Sequence, residues 1–308
     1  MKPILITYYV NPDLDGVAGA LAYGEFLQKT GRESVVGIIG EPHDEAKYIL
    51  DRYNIPYPQK IINADNFDEV VLVDASDLNG LEGNIVPEKV VEIIDHRKIN
   101  EADKFPNAKV QIELVGSAAT LIAEKFIENS INISKESAIL LCGAIISNTL
   151  NFKGGVTTDR DKKAVEYLSK IALLPDDFWK DLFMAKSDLS GSKLSERIEG
   201  DFAWFTFADK KVGTAQIEIV GAEKLIKERI EEIINVLEKI KQDMGLDYIF
   251  QNTIELELEC NYFISPDLKT QKLLEKVLNI KFNKAVAKRP NLIMRKQIVP
   301  LIKEELEK

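Results

Sequence analysis

Four side chains in the first third of this chain have the types and spacing of a divalent-metal site. The segment ILITYYVNPDLDGVAGALAYGEF carries Asp13 and Asp15 one residue apart, after a β-branched apolar run and directly before a helical stretch. Pro12 stops the strand, and the helix that follows is dense in small residues, from Gly16 and Ala18 to Ala22 and Gly24, so its axis can lie close to a sheet. Two carboxylates at the end of a strand suit hard cations, which prefer oxygen ligands. The alternative is that one aspartate caps the helix and the other is solvated. VVLVDASD delivers Asp74 to a second strand end, and VVEIIDHR delivers Asp95 and His96 to a third. In an open parallel sheet the carboxyl ends of the strands meet along one edge, where ligands bind. Asp13, Asp15, Asp74 and His96 are therefore expected to converge, with Asp95 as a partner for His96. The chain's other histidine, His43, lies in the loop EPHDE and reads as solvated.

A second chemical feature lies near the other end. Lys281–Gln297, KFNKAVAKRPNLIMRKQ, holds six basic residues and no acid in a chain of net charge −10, so the rest carries −16. It is either a solvated basic face or an electropositive wall for phosphate oxygens, which arginine and lysine suit.

The elements needed to position these groups are legible as alternating short β-branched runs and helical stretches. Strands are expected at Ile4–Tyr9, Val35–Ile39, Glu69–Asp74, Val90–Asp95 and Val110–Leu114, and helices at Gly16–Gln28, Asp44–Arg52, Ser117–Glu128 and Lys135–Ser147. That alternation argues for an α/β fold, a parallel sheet with helices on both faces. Thr158, three residues before Asp161, reads as the N-cap of a further helix, and another covers Asp176–Lys186. The Ser/Gly-rich SDLSGSKLS then reads as a linker. We expect a first domain over 1–187, a linker over 188–195 and a smaller α+β domain over 196–308. In the latter, AWFTFAD, KVGTAQIEIV and DYIFQNTIELELECNYF look like strands. Helices are expected at about Ala222–Met244, Lys269–Leu278 and Val299–Glu307.

Composition bounds the function. A length of 308 residues fits about two domains of ~150 residues. The acidic balance argues against a nucleic-acid polymer as the main partner, since that needs a basic surface. No charged-then-apolar leader opens the chain and no apolar run reaches ~18 residues, so neither export nor a membrane is expected and the cytoplasm is the expected compartment. Cys142 and Cys260 sit in apolar runs and read as reduced core thiols.

With these residues in view, the chain resembles the DHH phosphoesterase superfamily, closest to the manganese-dependent (family II) inorganic pyrophosphatases and the prune-type exopolyphosphatases. NPDLDG resembles the first motif, VVLVD the second, and EIIDHR the third, usually Asp-His-His. GSAATLIAEKF, CGAIISNTLNFK and TTDRDKKAVEYL resemble the segments that follow. MAKSDLSG, KKVGTAQIEIV and RKQIVP resemble the associated C-terminal substrate domain. Several positions depart from the pattern. Tyr9 stands where the family has a metal-binding histidine, Asn148 where it has an aspartate ligand, and Arg97 at the second histidine of Asp-His-His. Ala203 replaces a substrate-binding lysine, and the C-terminal Arg-Lys pair falls on Met294 and Arg295.

The resemblance implies a phosphoanhydride hydrolase, pyrophosphatase-like or short-chain polyphosphatase-like, acting on a small phosphate-containing substrate by metal-activated water. Asp74 would be shared by two cations, Asp13 would serve one, and Asp15 and His96 the other, with Asn148 a weak ligand. Mn²⁺, or Mg²⁺ or Co²⁺, is the expected metal, more weakly bound than with every ligand present. Asp74, His96 and Arg97 are the expected catalytic residues, and Arg295 and Lys296 the substrate-binding ones. The alternatives are a phosphodiesterase on small nucleotides and a degenerate homologue that binds phosphate or a partner without turnover. Homodimerisation is left open.

Overall fold

The computed structural model describes residues 2–98 and 100–308. The chain separates into two compact units, Met1–Lys186 and Ser187–Lys308.

The first unit contains strands β1 (Ile4–Thr7), β2 (Ser34–Ile38), β3 (Gln59–Lys60), β4 (Val70–Val73), β5 (Val90–Asp95) and β6 (Lys109–Ile112). Its helices are α1 (Leu14–Lys29), α2 (Asp44–Arg52), α3 (Ala118–Glu128), α4 (Lys135–Asn148), α5 (Asp159–Ala172) and α6 (Phe178–Lys186). The sheet order is β3-β2-β1-β4-β5-β6, and every pairing is parallel. The chain runs outward from β1 to β3, then crosses back to β4 on the other side of β1. The crevice beyond the carboxyl ends of β1 and β4 is therefore the place where such sheets take ligands.

Strand residues divide between two cores, as period-two alternation requires. Ile4, Ile6, Val71, Val73 and Ile94 join the core made with α1 to α6. Leu5, Val70, Leu72, Val90 and Ile93 join Leu81, Ile85 and Phe105 on the opposite face, which short 3-10 turns at Asn79–Leu81, Pro87–Lys89 and Ala102–Lys104 and their loops cover. The small residues of α1 act as expected: a Cβ on Gly19 would lie 2.6 Å from Val73 Cγ1, so only glycine lets the helix approach this closely. Observed ends in this unit differ from the expected ones by up to two residues, and β3, two exposed residues, had no hydrophobic signature to betray it. Cys142 and Cys260 are free and buried, as expected of core thiols.

The second unit contains α7 (Lys193–Gly200), β7 (Ala203–Phe207), β8 (Lys210–Ile219), α8 (Ala222–Met244), β9 (Tyr248–Glu255), β10 (Cys260–Ile264), α9 (Leu268–Leu278), β11 (Val286–Pro290) and α10 (Arg295–Leu306). Its mixed sheet runs β11-β10-β9-β8-β7, with only the β8–β9 pair parallel. One core lies under α7 and α8, and the other holds side chains of α9 and α10. Residues 188–195, expected as a linker, contribute Leu189 and Leu194 to the first of these cores and contain the start of α7. The basic stretch from Lys281 to Gln297 contains β11, which pairs with β10, and the first turn of α10.

Candidate metal centre

Beyond β1 the chain leaves the sheet through Asn11, whose φ of 52° turns the backbone left-handed, and Pro12. Asp13 then caps α1: its Oδ1 accepts from the amides of Asp15 (2.9 Å) and Gly16 (3.2 Å). The capping role weighed for one of the two aspartates thus falls to Asp13. Asp15, on the first turn, is fully buried. Its carboxylate sits at the N-terminus of α3, where unpaired amides favour an anion. Oδ1 accepts from Ser117 Oγ (2.8 Å) and Ala119 N (2.9 Å), and Oδ2 from Ala118 N (2.9 Å) and Asn148 Nδ2 (2.6 Å). Asn148, offered as a weak metal ligand, spends its amide nitrogen on Asp15. Burial raises the Asp15 pKa, opposed by His96 and reinforced by Asp13.

Asp74 follows β4 in a left-handed conformation (φ 55°) and is 3% exposed. Its Oδ1 is buried without a hydrogen-bond partner among the described residues. The nearest cationic group to it is His96 Nε2 at 3.4 Å, which also stands 3.7 Å from Asp15 Oδ2. Burial, then the neighbouring Asp15 and Asp13, pushes Asp74 up to about 8. For His96, burial opposes the charged ring, but the close approach of Asp74 and the charges of Asp15 and Asp74 raise its pKa to about 10. The ring is oriented by Nδ1, 3.0 Å from the Val115 carbonyl. A carbonyl only accepts, so Nδ1 carries a proton and Nε2 is the nitrogen that faces the acids. Asp95, the expected partner of His96, accepts instead from the His96 backbone amide (2.6 Å) and from Ser76 Oγ; it steadies the loop rather than the ring.

One donor atom each from Asp15, Asp74 and His96 lies within 4.8 Å of the others. These residues fit a divalent cation on the structure's own terms. Among the described residues a buried Asp74 oxygen lacks a hydrogen-bond partner, the donors are oxygen and imidazole nitrogen, and Asp15 and His96 are fixed from behind by backbone and side-chain bonds. Of the expected metal residues, the structure brings Asp15, Asp74 and His96 into one cluster. Asp13 lines an adjacent cavity of about 190 Å³ together with Tyr8, Tyr9, Asn11, His43, Asp74 and Arg97.

Arg97 and Tyr9 form the wall of that cavity. The guanidinium lies over the Tyr9 ring, 4.3 Å from its centroid, with Nη2 3.5 Å from Asp74 Oδ2. Tyr9 donates its hydroxyl proton to Asp77 Oδ2 (2.6 Å) and accepts from Ser76 N (3.1 Å). Burial, then the bond to Asp77, holds the phenol far above its ordinary pKa, so it stays neutral. A Cβ on Gly80 would overlap the Tyr9 ring, so glycine at that position makes room for it.

Sequence reasoning passed over several contributors. His43 is exposed, as expected, yet its side chain lines the cavity. Ser117 and Val115 hold Asp15 and His96, and Asp77 holds Tyr9. The Gly-Ser before α3 was a usable capping signal for Ser117. Asp77 stood in VVLVDASD, but nothing in its type or spacing tied it to Tyr9.

In the second unit, Arg295 opens α10. Its guanidinium is engaged by Asp201, from Nη1 to Oδ2 at 3.1 Å and from Nη2 to Oδ1 at 3.3 Å, and its amide donates to Gln216 Oε1 at 2.6 Å. Lys296, next on the same turn, is exposed.

Comparison with known proteins agrees with this architecture. The model of the DHH family N-terminal domain matches residues 3–145, and that of the DHHA2 domain matches residues 180–305. A manganese-dependent inorganic pyrophosphatase of Methanothrix thermoacetophila is 32% identical over 309 residues, covering 99% of both chains. The chain belongs to the DHH family. Among solved structures, this DHH protein is similar to a candidate family II inorganic pyrophosphatase of Methanococcus jannaschii, with a TM-score of 0.73 and 28% identity over 99% of this chain and 100% of the other. An exopolyphosphatase-related protein from Bacteroides fragilis shares the fold at a TM-score of 0.51 and 15% identity, covering 99% of this chain and 92% of that one. The DHH protein is thus a phosphoesterase of the family II pyrophosphatase type with an Asp/His cluster suited to metal. Among the described residues no helix is long and apolar enough to cross a membrane.

Proposed function

We propose that this DHH protein hydrolyses the phosphoanhydride bond of a small phosphate-bearing substrate, inorganic diphosphate or a short polyphosphate, and that Asp15, Asp74 and His96 hold the divalent cation it needs. One observation carries the reading. Among the described residues Asp74 Oδ1, a buried carboxylate oxygen, has no hydrogen-bond partner, and His96 Nε2 and a carboxylate oxygen of Asp15 lie close to Asp74. A buried polar atom left without a partner is costly, so its retention points to a bound group. When bound, a divalent cation supplies a lowered pKa for the attacking water and offsets charge on phosphorus-bound oxygens. Manganese is the first candidate, because relatives of nearly full-length match are named for it.

The chain's own residues do the rest. Ser117, Ala118 and Ala119 hold both oxygens of Asp15 in place, and a cation at Oδ2 would displace only the Asn148 amide. Val115 fixes the His96 ring in the same way. Arg97, about one third exposed at the cavity wall, offers N–H donors to phosphoryl oxygens and their growing charge. In the second unit we propose exposed Lys296 as a phosphate-binding cation. Arg295, engaged by Asp201, positions the turn that carries it.

Phosphate release from diphosphate, tripolyphosphate and dinucleotides, each with Mn²⁺, Co²⁺ and Mg²⁺, tests the reading. Mn²⁺-dependent release from diphosphate or tripolyphosphate is expected. Release from dinucleotides alone would make the protein a small-nucleotide phosphodiesterase. No release from any of them, with Mn²⁺ bound, would make it a binding protein.

A further inference from the structure

The two oxygens of Asp74 face different chemistry. Oδ1 points to the shared corner with Asp15 and His96, whereas Oδ2 is 3.5 Å from Arg97 Nη2. The guanidinium on the Oδ2 side is held in place by its stacking on Tyr9. Tyr9 has no capacity left for a metal, because its hydroxyl is committed to Asp77 as donor and to Ser76 N as acceptor. Tyr9 and Arg97 together form a flat aromatic shelf with a cation resting on it. The Oδ2 side therefore does not fit a second divalent ion: it lacks a donor at Tyr9, and a dication there would meet a guanidinium at close range. A fixed positive charge in that place does the electrostatic part of a metal's work without having to be bound from solution. The cavity beside it, about 190 Å³, falls below the roughly 300 Å³ at which pockets for drug-sized ligands begin. It suits a phosphate or diphosphate group.

We propose that this chain binds one divalent cation, on the Oδ1 side of Asp74, and that Arg97, shelved on Tyr9, replaces the second by gripping a phosphoryl oxygen of the substrate. The inference rests on the metal-dependent reading above but concerns binding alone, and its test involves no turnover.

The full-length protein is titrated with Mn²⁺ by calorimetry, and the bound ion is examined by electron paramagnetic resonance. One Mn²⁺ per chain is expected, with the spectrum of an isolated ion. The double variant Tyr9→His/Arg97→His is expected to take up two ions with an exchange-coupled spectrum. Arg97→Ala should still bind one Mn²⁺ but lose on the order of 30-fold in affinity for imidodiphosphate, a non-hydrolysable diphosphate, as for a charged hydrogen-bonding partner removed. Two coupled ions in the natural chain overturn the inference, as does imidodiphosphate binding that Arg97→Ala leaves unchanged. Should the double variant fail to fold, the natural chain and Arg97→Ala decide between them. A natural chain that binds no Mn²⁺ overturns both this inference and the reading beneath it. One that binds a single Mn²⁺ and imidodiphosphate through Arg97, yet releases no phosphate, overturns only the hydrolase.

Discussion

At the scale of single residues, Asp15, Asp74 and His96, expected as ligands because acid and imidazole stand at the ends of apolar runs, lie together in one cluster. Asn148 shows what the sequence could not disclose. As a letter it was a weakened ligand; in place it is a donor that steadies Asp15 Oδ2 at 2.6 Å. Two predictions follow from the contrast. Asp74→Asn keeps the shape of the site but halves its anionic oxygens, so Mn²⁺ should no longer raise the melting temperature; an undiminished Mn²⁺ shift would remove Asp74 from the site. Asn148→Asp should do the opposite. It replaces a hydrogen-bond donor with a second carboxylate beside a fully buried one, which should destabilise the metal-free protein by roughly 2 kcal/mol. A cation should repay that repulsion, so the stabilisation by Mn²⁺ should exceed that of the natural chain. Differential scanning calorimetry with and without Mn²⁺ reads both terms, and a metal-free variant as stable as the natural protein would count against the packing described for Asp15.

At the scale of elements, caps were legible and close approaches were not. The pairing of Thr158 with Asp161 predicted the start of α5, and the structure shows a full capping box there. Asp161 is buried and also accepts from Gly116 N and Thr120 Oγ1, so the cap ties α5 to the start of α3, next to the Val115 carbonyl that orients His96. Thr158→Ala should therefore cost about 0.5–2 kcal/mol in chemical denaturation, the usual range for a lost N-cap. A value near zero would mean that Asp161 is held by its other partners alone. The space under the Tyr9 ring is a different kind of fact. Gly80 reads as an ordinary turn glycine in sequence, because nothing local reports that a ring from a distant loop will lie against its Cα. Gly80→Ala should push Tyr9 aside and release Arg97. The expected result is weaker imidodiphosphate binding with the Mn²⁺ site of Asp15, Asp74 and His96 kept. Loss of both together would show that the shelf also supports the metal corner.

At the scale of the whole molecule, the alternation of strands and helices predicts the parallel sheet, and a later change of pattern predicts the mixed-sheet fold that follows it. What composition misjudged was the segment between them. SDLSGSKLS is rich in serine and glycine, which reads as a loose connector, but it also carries Leu189 and Leu194, and burial of two leucines outweighs the flexibility of their neighbours. Lys193–Gly200 is helical for that reason. The stretch from 187 to 192 lies outside any helix or strand, with Asp188, Ser190, Gly191 and Ser192 exposed. We therefore expect the boundary to be narrow. Limited proteolysis of the full-length protein by a protease of broad specificity should cut first within residues 187–192, giving fragments near the sizes of Met1–Lys186 and Ser187–Lys308, before any cut inside α7. The order matters because exposed backbone is nicked when few bonds must open, whereas a cut in α7 requires Leu194 and Ile198 to leave the core. Mass spectrometry of the first products decides it. First cuts between Lys193 and Gly200 would mean that α7 behaves as part of the connector and that the second unit begins with β7.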